Sequence, residues 1–193
     1  MAIKMGLAGS HRTGKTTLAV AIAQKKNIVF VKTDTSAVFK QQGLHPAAPM
    51  DFNTRLWIQN HIIEAAVQIW QSEPGDFITD RTPLDFMAYT FADIQGATEV
   101  DFAALTTYLN RCVTVTNQLF NLLVVLQPAI PLVYEPGKAA LNPAYMEHLN
   151  RIIQGLCHHD ELTCPTMIIK KDIIRLEERV AAIVDTGFQQ HIF

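Results

Sequence analysis

Gly9-Ser10-His11-Arg12-Thr13-Gly14-Lys15-Thr16 fits the pattern G-x-x-x-x-G-K-[ST] at every fixed position. Ala2 to Leu7, just before it, is a short apolar run interrupted by Lys4 and reads as a buried strand. Lys15 to Lys25, just after it, places Leu18, Ala21 and Ile22 on one helical face. Strand, glycine loop and helix in that order are the context the pattern requires. The glycines allow backbone conformations that turn successive N–H groups inward, and the first helical turn adds unpaired N–H groups and a positive dipole end. A polyphosphate suits such a cradle. On this reading Gly9, Ser10, His11, Arg12, Thr13, Gly14, Lys15, Thr16 and Thr17 bind ATP. Lys15 neutralises the β- and γ-phosphates, and Thr16 presents its hydroxyl to magnesium. The loop alone leaves open whether the phosphoryl group goes to water, to protein or to a small acceptor.

Working outward, Ile28 to Lys32 is β-branched and aromatic and reads as a second strand that ends beside Thr33, Asp34 and Thr35. Gln41 to Met50, with Gly43, Pro46 and Pro49, reads as a surface connection. Asp51 can cap a helix from Phe52 to Gln71, in which Leu56, Ile62, Ile63, Ala66 and Trp70 recur at helical spacing until Glu73-Pro74-Gly75. Phe77 to Thr79 follows as a third strand. Leu84 to Ile94 and Phe102 to Phe120 read as helices, and Leu122 to Leu126 as a continuous apolar strand stopped by Pro128. After a proline-marked stretch come a helix from Tyr145 to Leu156, a strand from Thr166 to Lys170 and a helix from Asp172 to Val184.

Strands alternating with helices predict a three-layer α/β/α domain of the P-loop NTPase type, with a mostly parallel five-stranded sheet; the proline-marked connection is long for a plain loop. The chain, 193 residues long, suits one such domain over 1–193. Ligands of such sheets sit at the carboxyl ends of strands, which brings together Gly9 to Thr16, Thr33 to Thr35, Asp80 to Arg81 and the segment after Leu126.

Composition narrows the partners. A net charge of -2 with scattered basic residues does not match the electrostatic footprint of a long nucleic-acid ligand, so a small nucleotide or nucleoside fits better. No run of apolar residues approaches a membrane span, and Met1 to Ser10 lacks the regions of a signal peptide. With three cysteines in no framework spacing, the expected compartment is the cytoplasm. Association as a homodimer is compatible with all of this. Cys157-His158-His159 and Cys164 lack the spacing of a zinc site.

Asp80 sits at the mouth of the third strand, where its carboxylate can hold magnesium directly or through water, or cap the helix that starts near Pro83. Arg81 beside it can reach either a migrating phosphate or a phosphate on the acceptor. Asp34 is either a base for a hydroxyl acceptor or a turn residue. Arg55 and Gln59, four apart, share one helix face, with Phe52 and Trp57 as neighbouring aromatic surface. On their residue types alone they form a solvated face.

Thr79-Asp80-Arg81-Thr82-Pro83-Leu84-Asp85-Phe86-Met87-Ala88-Tyr89 resembles the Asp-Arg segment of the thymidylate kinase and deoxynucleoside kinase group, and also small phage or bacterial nucleotide-kinase-like ATPases. Thr13-Gly14-Lys15-Thr16-Thr17-Leu18 resembles the loop of nicotinamide riboside kinase domains. The resemblance implies a kinase that uses ATP and magnesium, with Lys15, Asp80, Arg81 and Asp34 as catalytic residues and Thr16 and Asp80 on the metal. It implies an acceptor site of Asp34, Arg55, Gln59 and Arg81, and a closing lid over 133–150 that bears Lys138, with Arg151 close behind. Nucleoside monophosphate kinases usually carry an extra glycine at the fourth loop position, where this chain has Arg12. The expected activity is that of a (deoxy)nucleoside monophosphate kinase. The alternatives are a nucleoside or nicotinamide-riboside kinase with Asp34 as base, and a P-loop regulatory ATPase acting through protein interaction.

Overall fold

Leu122 to Leu126 is apolar at every position because it is covered on both faces. In the computed structural model, which describes residues 2–46, 48–134 and 141–187, this segment is strand β4, and all five of its side chains are buried. The other strands are β1 (Lys4–Ala8), β2 (Val29–Val31), β3 (Phe77–Thr79) and β5 (Thr166–Ile169). They form one sheet in the order β2-β3-β1-β4-β5. Every pairing is parallel: Met5 lies opposite Ile78 on one side and Leu122 on the other.

The helices are α1 (Lys15–Lys26), α2 (Thr35–Gln41), α3 (Phe52–Gln71), α4 (Pro83–Ala92), α5 (Phe102–Leu119), α6 (Pro143–Leu156) and α7 (Leu176–Ala182), the last running into a π-helical turn at Ile183–Gly187. Alternation along β4 divides them into two layers. Leu122, Val124 and Leu126 join Leu18 and Ile22 of α1 and Val180 of α7 in one core. Leu123 and Val125 join residues of α3, α4, α5 and α6 in the other, around the fully buried Trp70. The result is the three-layer sheet architecture expected from the sequence. Among the described residues no helix is long and apolar enough to cross a membrane.

Three local expectations change. Helix α2 was not foreseen: seven residues are too few for a periodic pattern, and it exists because Asp34 caps it while Val38 and Phe39 are buried against the α3 side of the core. The last helix begins at Leu176 rather than Asp172, because Ile173 first closes a turn onto the Lys170 carbonyl. Helix α6 begins at Pro143, the favoured first position, with Asn142 as its cap. Residues 143–150 of the expected lid are therefore the first half of a helix whose Met146, Leu149 and Asn150 are buried, and whose body packs on α4.

Candidate active site

The chain leaves β1 through Gly9, whose φ is +153°, and a Cβ there would stand 2.5 Å from the Leu126 carbonyl oxygen of β4. No side chain fits between these strands, so the loop can start here only with glycine. The loop closes at Gly14, with φ +84°, which precedes α1 without any side-chain cap. Gly14 therefore lays no side chain of its own over the first-turn amides of α1, the arrangement that favours an anion.

Lys15 is buried, and its Nζ donates to the carbonyls of Gly9 at 2.5 Å and Ser10 at 2.8 Å. It also lies 3.5 Å from Oδ1 of Asp85, a fully buried residue on α4. Asp85 was not singled out from the sequence. Its Oδ1 accepts the Gly9 N–H at 3.1 Å, and its Oδ2 accepts both the N–H and the hydroxyl of Thr82 at 2.9 Å. Thr82 caps α4 in return, which makes a capping box. One carboxylate thus joins the start of the phosphate loop to the start of the helix that follows the Asp-Arg pair.

Burial pushes the Lys15 pKa down from 10.5 to about 8; Asp85 and Asp80 pull it up, and Arg81 pushes it further down. Because the folded value is depressed, the ammonium form costs the free protein stability below about pH 8, and this cost fades as pH rises toward 10.5. An anion bound in the loop favours the ammonium form. Near about pH 9, binding of a nucleoside triphosphate with magnesium should take up a proton, and the uptake should shrink toward neutral pH. Calorimetry in two buffers of different ionisation enthalpy measures this directly; identical heats near pH 9 would contradict it.

The Thr16 hydroxyl donates to Oδ2 of Asp80 at 2.5 Å, and Oδ1 of Asp80 faces the Thr33 N–H at 3.5 Å. Behind them the Trp70 indole N–H is shared between the hydroxyls of Thr33 at 3.0 Å and Thr79 at 3.3 Å, which lie 3.0 Å from each other. These bonds fix the strand ends that present Asp80. Burial opposes the Arg81 charge, but Asp85, Tyr89 and Asp80 outweigh it and hold its pKa above the ordinary value. The Tyr89 hydroxyl bonds to Arg81 and lies 3.3 Å from Nδ1 of His11. Burial raises the Tyr89 pKa, so it stays a neutral phenol at physiological pH.

Two cavities meet here. One, of about 670 Å³, is bounded by His11 to Thr17, Lys32 to Ser36, Asp80, Arg81 and Ile130 to Val133. The other, of about 1020 Å³, lies between α2, α3, α4 and α6. His11, Thr35, Ser36 and Arg81 border both. Arg55 and Gln59 line the second cavity together, on the helix face they share. Arg55 is paired with Asp93 at 3.2 Å, while the buried Gln59 has no hydrogen-bond partner for Oε1. Burial raises the Asp93 pKa, and Arg55 opposes the rise. The aromatic surface differs from expectation: Phe52 is buried in the core and Trp57 is exposed against His61, whereas Phe39, Phe86, Tyr89 and Tyr145 line the cavity.

The remaining expected residues fall in different places. Asp34 is exposed on the rim of the first cavity, and its Oδ1 accepts the N–H groups of Ser36 at 3.0 Å and Ala37 at 3.2 Å as the cap of α2. Arg12, with φ +58°, lines the same cavity and donates to the Val133 carbonyl at 2.8 Å. Arg151 borders neither cavity; it is exposed on α6 and pairs with Glu147 at 2.9 Å. Lys138 lies outside the described residues. Arg179 of α7, also unforeseen, is buried and donates to the Thr13 carbonyl of the loop at 2.9 Å.

Known proteins share this framework. A deoxyadenosine kinase from M. mycoides with bound dCTP superposes with a TM-score of 0.68 at 18% identity, over 96% of this chain and 98% of that one. The NadR protein in complex with NAD and AMP-PNP gives a TM-score of 0.68 at 16% identity, over 96% of this chain and 50% of that one. Thymidylate kinase from Candida albicans gives 0.66 at 14% identity, over 95% and 90%. The fold is that of the P-loop nucleoside and nucleotide kinases. A tRNA dimethylallyltransferase of Francisella philomiragia subsp. philomiragia is 33% identical over 79 residues, 41% of this chain and 25% of that protein. The chain thus spans about a quarter of the length of this curated relative. Residues 4–131, about two thirds of the chain, match the model of a family described as AAA domain, and they hold the loop, the Asp-Arg pair, Asp85 and the α3 face. With a phosphate loop on a five-stranded parallel sheet and that match along most of its length, the chain belongs to the AAA domain family (AAA_28).

Proposed function

We propose that this protein transfers the γ-phosphoryl group of ATP to a small nucleotide acceptor, with a (deoxy)nucleoside monophosphate as the acceptor class. The observation that carries the reading is the junction of the two cavities at Arg81 and His11. It gives a donor chamber built on the phosphate loop, an acceptor chamber built on α3, and a cation where a phosphoryl group would pass between them. Lys15 and the loop amides bind the donor's phosphates, and Arg81 stabilises the charge that spreads over the migrating group. Positioning and electrostatics supply most of the catalysis.

The hydroxyl of Thr16 and the carboxylate of Asp80, 2.5 Å apart beside the loop, are the hard oxygen donors that magnesium accepts, and these two residues would hold it. When bound, the ion would neutralise charge on the β- and γ-phosphates. In the acceptor chamber the unpartnered Oε1 of Gln59 and the Arg55–Asp93 pair present acceptor and donor groups for a base edge, and Phe86 and Tyr145 add aromatic wall to the same cavity. Among the described residues its charged walls carry Lys40, Arg55 and Arg81 against the carboxylate of Asp93, a balance that favours an anionic acceptor.

A second reading, a nucleoside kinase with Asp34 as base, is favoured by the place of Asp34 on the donor rim, next to Thr35 and Ser36, which border both chambers. An ADP-release assay with ATP and magnesium over a panel of nucleosides and monophosphates tests the proposal. Turnover with one or more monophosphates is expected. Turnover with nucleosides alone would replace the first reading by the second. Nucleotide binding without turnover of either class would point to a regulatory ATPase.

A further inference from the structure

Arg179 is 3% exposed on α7, on the far side of the phosphate loop from the acceptor chamber. Its Nε donates to the Ile173 carbonyl at 2.8 Å and its Nη1 to the Thr13 carbonyl at 2.9 Å, a contact between residues 166 apart in sequence. Among the described residues no carboxylate lies within ion-pair distance of it. A guanidinium stays charged in a protein, so this is a buried positive charge held only by carbonyl dipoles, an arrangement that costs stability. Burial pushes its pKa down, in line with that cost.

The contact has a geometric consequence. In a planar trans peptide the C=O and N–H point in opposite directions. Anchoring the Thr13 carbonyl on α7 aims the N–H of Gly14 away from α7, toward the chamber that Thr13 and Gly14 border. Gly14 already has φ +84°, and a Cβ on it would sit 3.7 Å from Arg179 Nη1, so the guanidinium lies directly against the bend of the loop.

We propose that Arg179 is a positioning residue of the phosphate loop: it presets the Thr13–Gly14 peptide to receive a phosphate, and a bound polyphosphate supplies the counter-charge that this guanidinium lacks. The proposal rests on the reading of the loop as a nucleoside-triphosphate site. A purely structural arginine would stabilise the free protein, whereas this one lowers free-state stability and strengthens anion binding.

Calorimetry with inorganic tripolyphosphate and with a non-hydrolysable ATP analogue, on the wild type, Arg179→Gln and Arg179→Lys, separates the two roles. Arg179→Gln is expected to weaken tripolyphosphate binding by about tenfold or more, the scale of a hydrogen bond to a charged group. Its ligand-free melting temperature should be equal to or above that of the wild type, and its KM for the acceptor unchanged. Arg179→Lys, which keeps the charge, should recover most of the affinity. Wild-type affinity in a folded Arg179→Gln, or a fall in affinity matched by a fall in ligand-free melting temperature, overturns the proposal. If Arg179→Gln does not fold, the role is structural and the proposal fails with it. A wild type that binds neither probe sinks the underlying nucleotide-binding reading, an outcome distinct from all of these.

Discussion

Lys15→Met is expected to lower kcat by about two to three orders of magnitude, the usual loss when one preorganised donor to a reacting group is removed, while the fold survives. The ammonium of Lys15 is buried at a cost that brings its pKa to about 8, and methionine fills a similar volume without that cost. What remains is Asp85, which loses a cation at 3.5 Å but keeps its bonds to Gly9 and Thr82. Stability should therefore move little and turnover greatly. Steady-state kinetics with a thermal melt on the same preparation checks both, and wild-type kcat in a folded variant would remove Lys15 from the chemistry.

Asp85→Ala should have the largest effect on the fold, a loss of about 3–5 kcal/mol, the range for breaking a buried charged network by deleting one partner. The substitution leaves the Gly9 and Thr82 amides without their acceptor and the Lys15 ammonium without the carboxylate 3.5 Å away, inside a fully buried site. It also removes half of the capping box that starts α4. Asp85→Asn, which retains a carbonyl oxygen, should lose less. Urea denaturation with a linear extrapolation measures the difference. A loss below about 1 kcal/mol for the alanine variant would mean that the loop and α4 are held by other contacts.

Asp85 also illustrates what a single sequence conceals. The loop, Phe52–Gln71, Phe77–Thr79 and Leu122–Leu126 are legible because their signals are local: a fixed spacing, a cap beside an apolar period, and apolar runs ended by Gly or Pro. The parallel order follows from alternation and strand burial. Asp85 and Arg179 carry no such mark, because each acts on a loop residue 76 or 166 positions away. The one local hint was Thr82-Pro83-Leu84-Asp85, a capping-box spacing that explains the bond to Thr82 but not the one to Gly9. Asp34 shows the same limit from the other side: its position allows a base or a turn residue, and only the fold reveals that its Oδ1 also caps α2 through two amides while it stays on the rim of the first cavity. Arg151 lies in a helix the sequence does show, but the local pattern cannot tell which way it faces; in the structure it is exposed and pairs with Glu147 at the helix surface.

The sheet order separates what must be kept from what can vary. β1, which launches the phosphate loop, is third of five and hydrogen-bonded on both sides, whereas β2 is an edge strand paired with β3 alone. From that margin hang α2 and the connection through Gly43 and Leu44, which wall the second cavity. Substitutions there can reshape the second cavity without disturbing the strand that carries the loop, so the contour of that cavity can drift by small steps at the periphery while the centre of the sheet stays fixed.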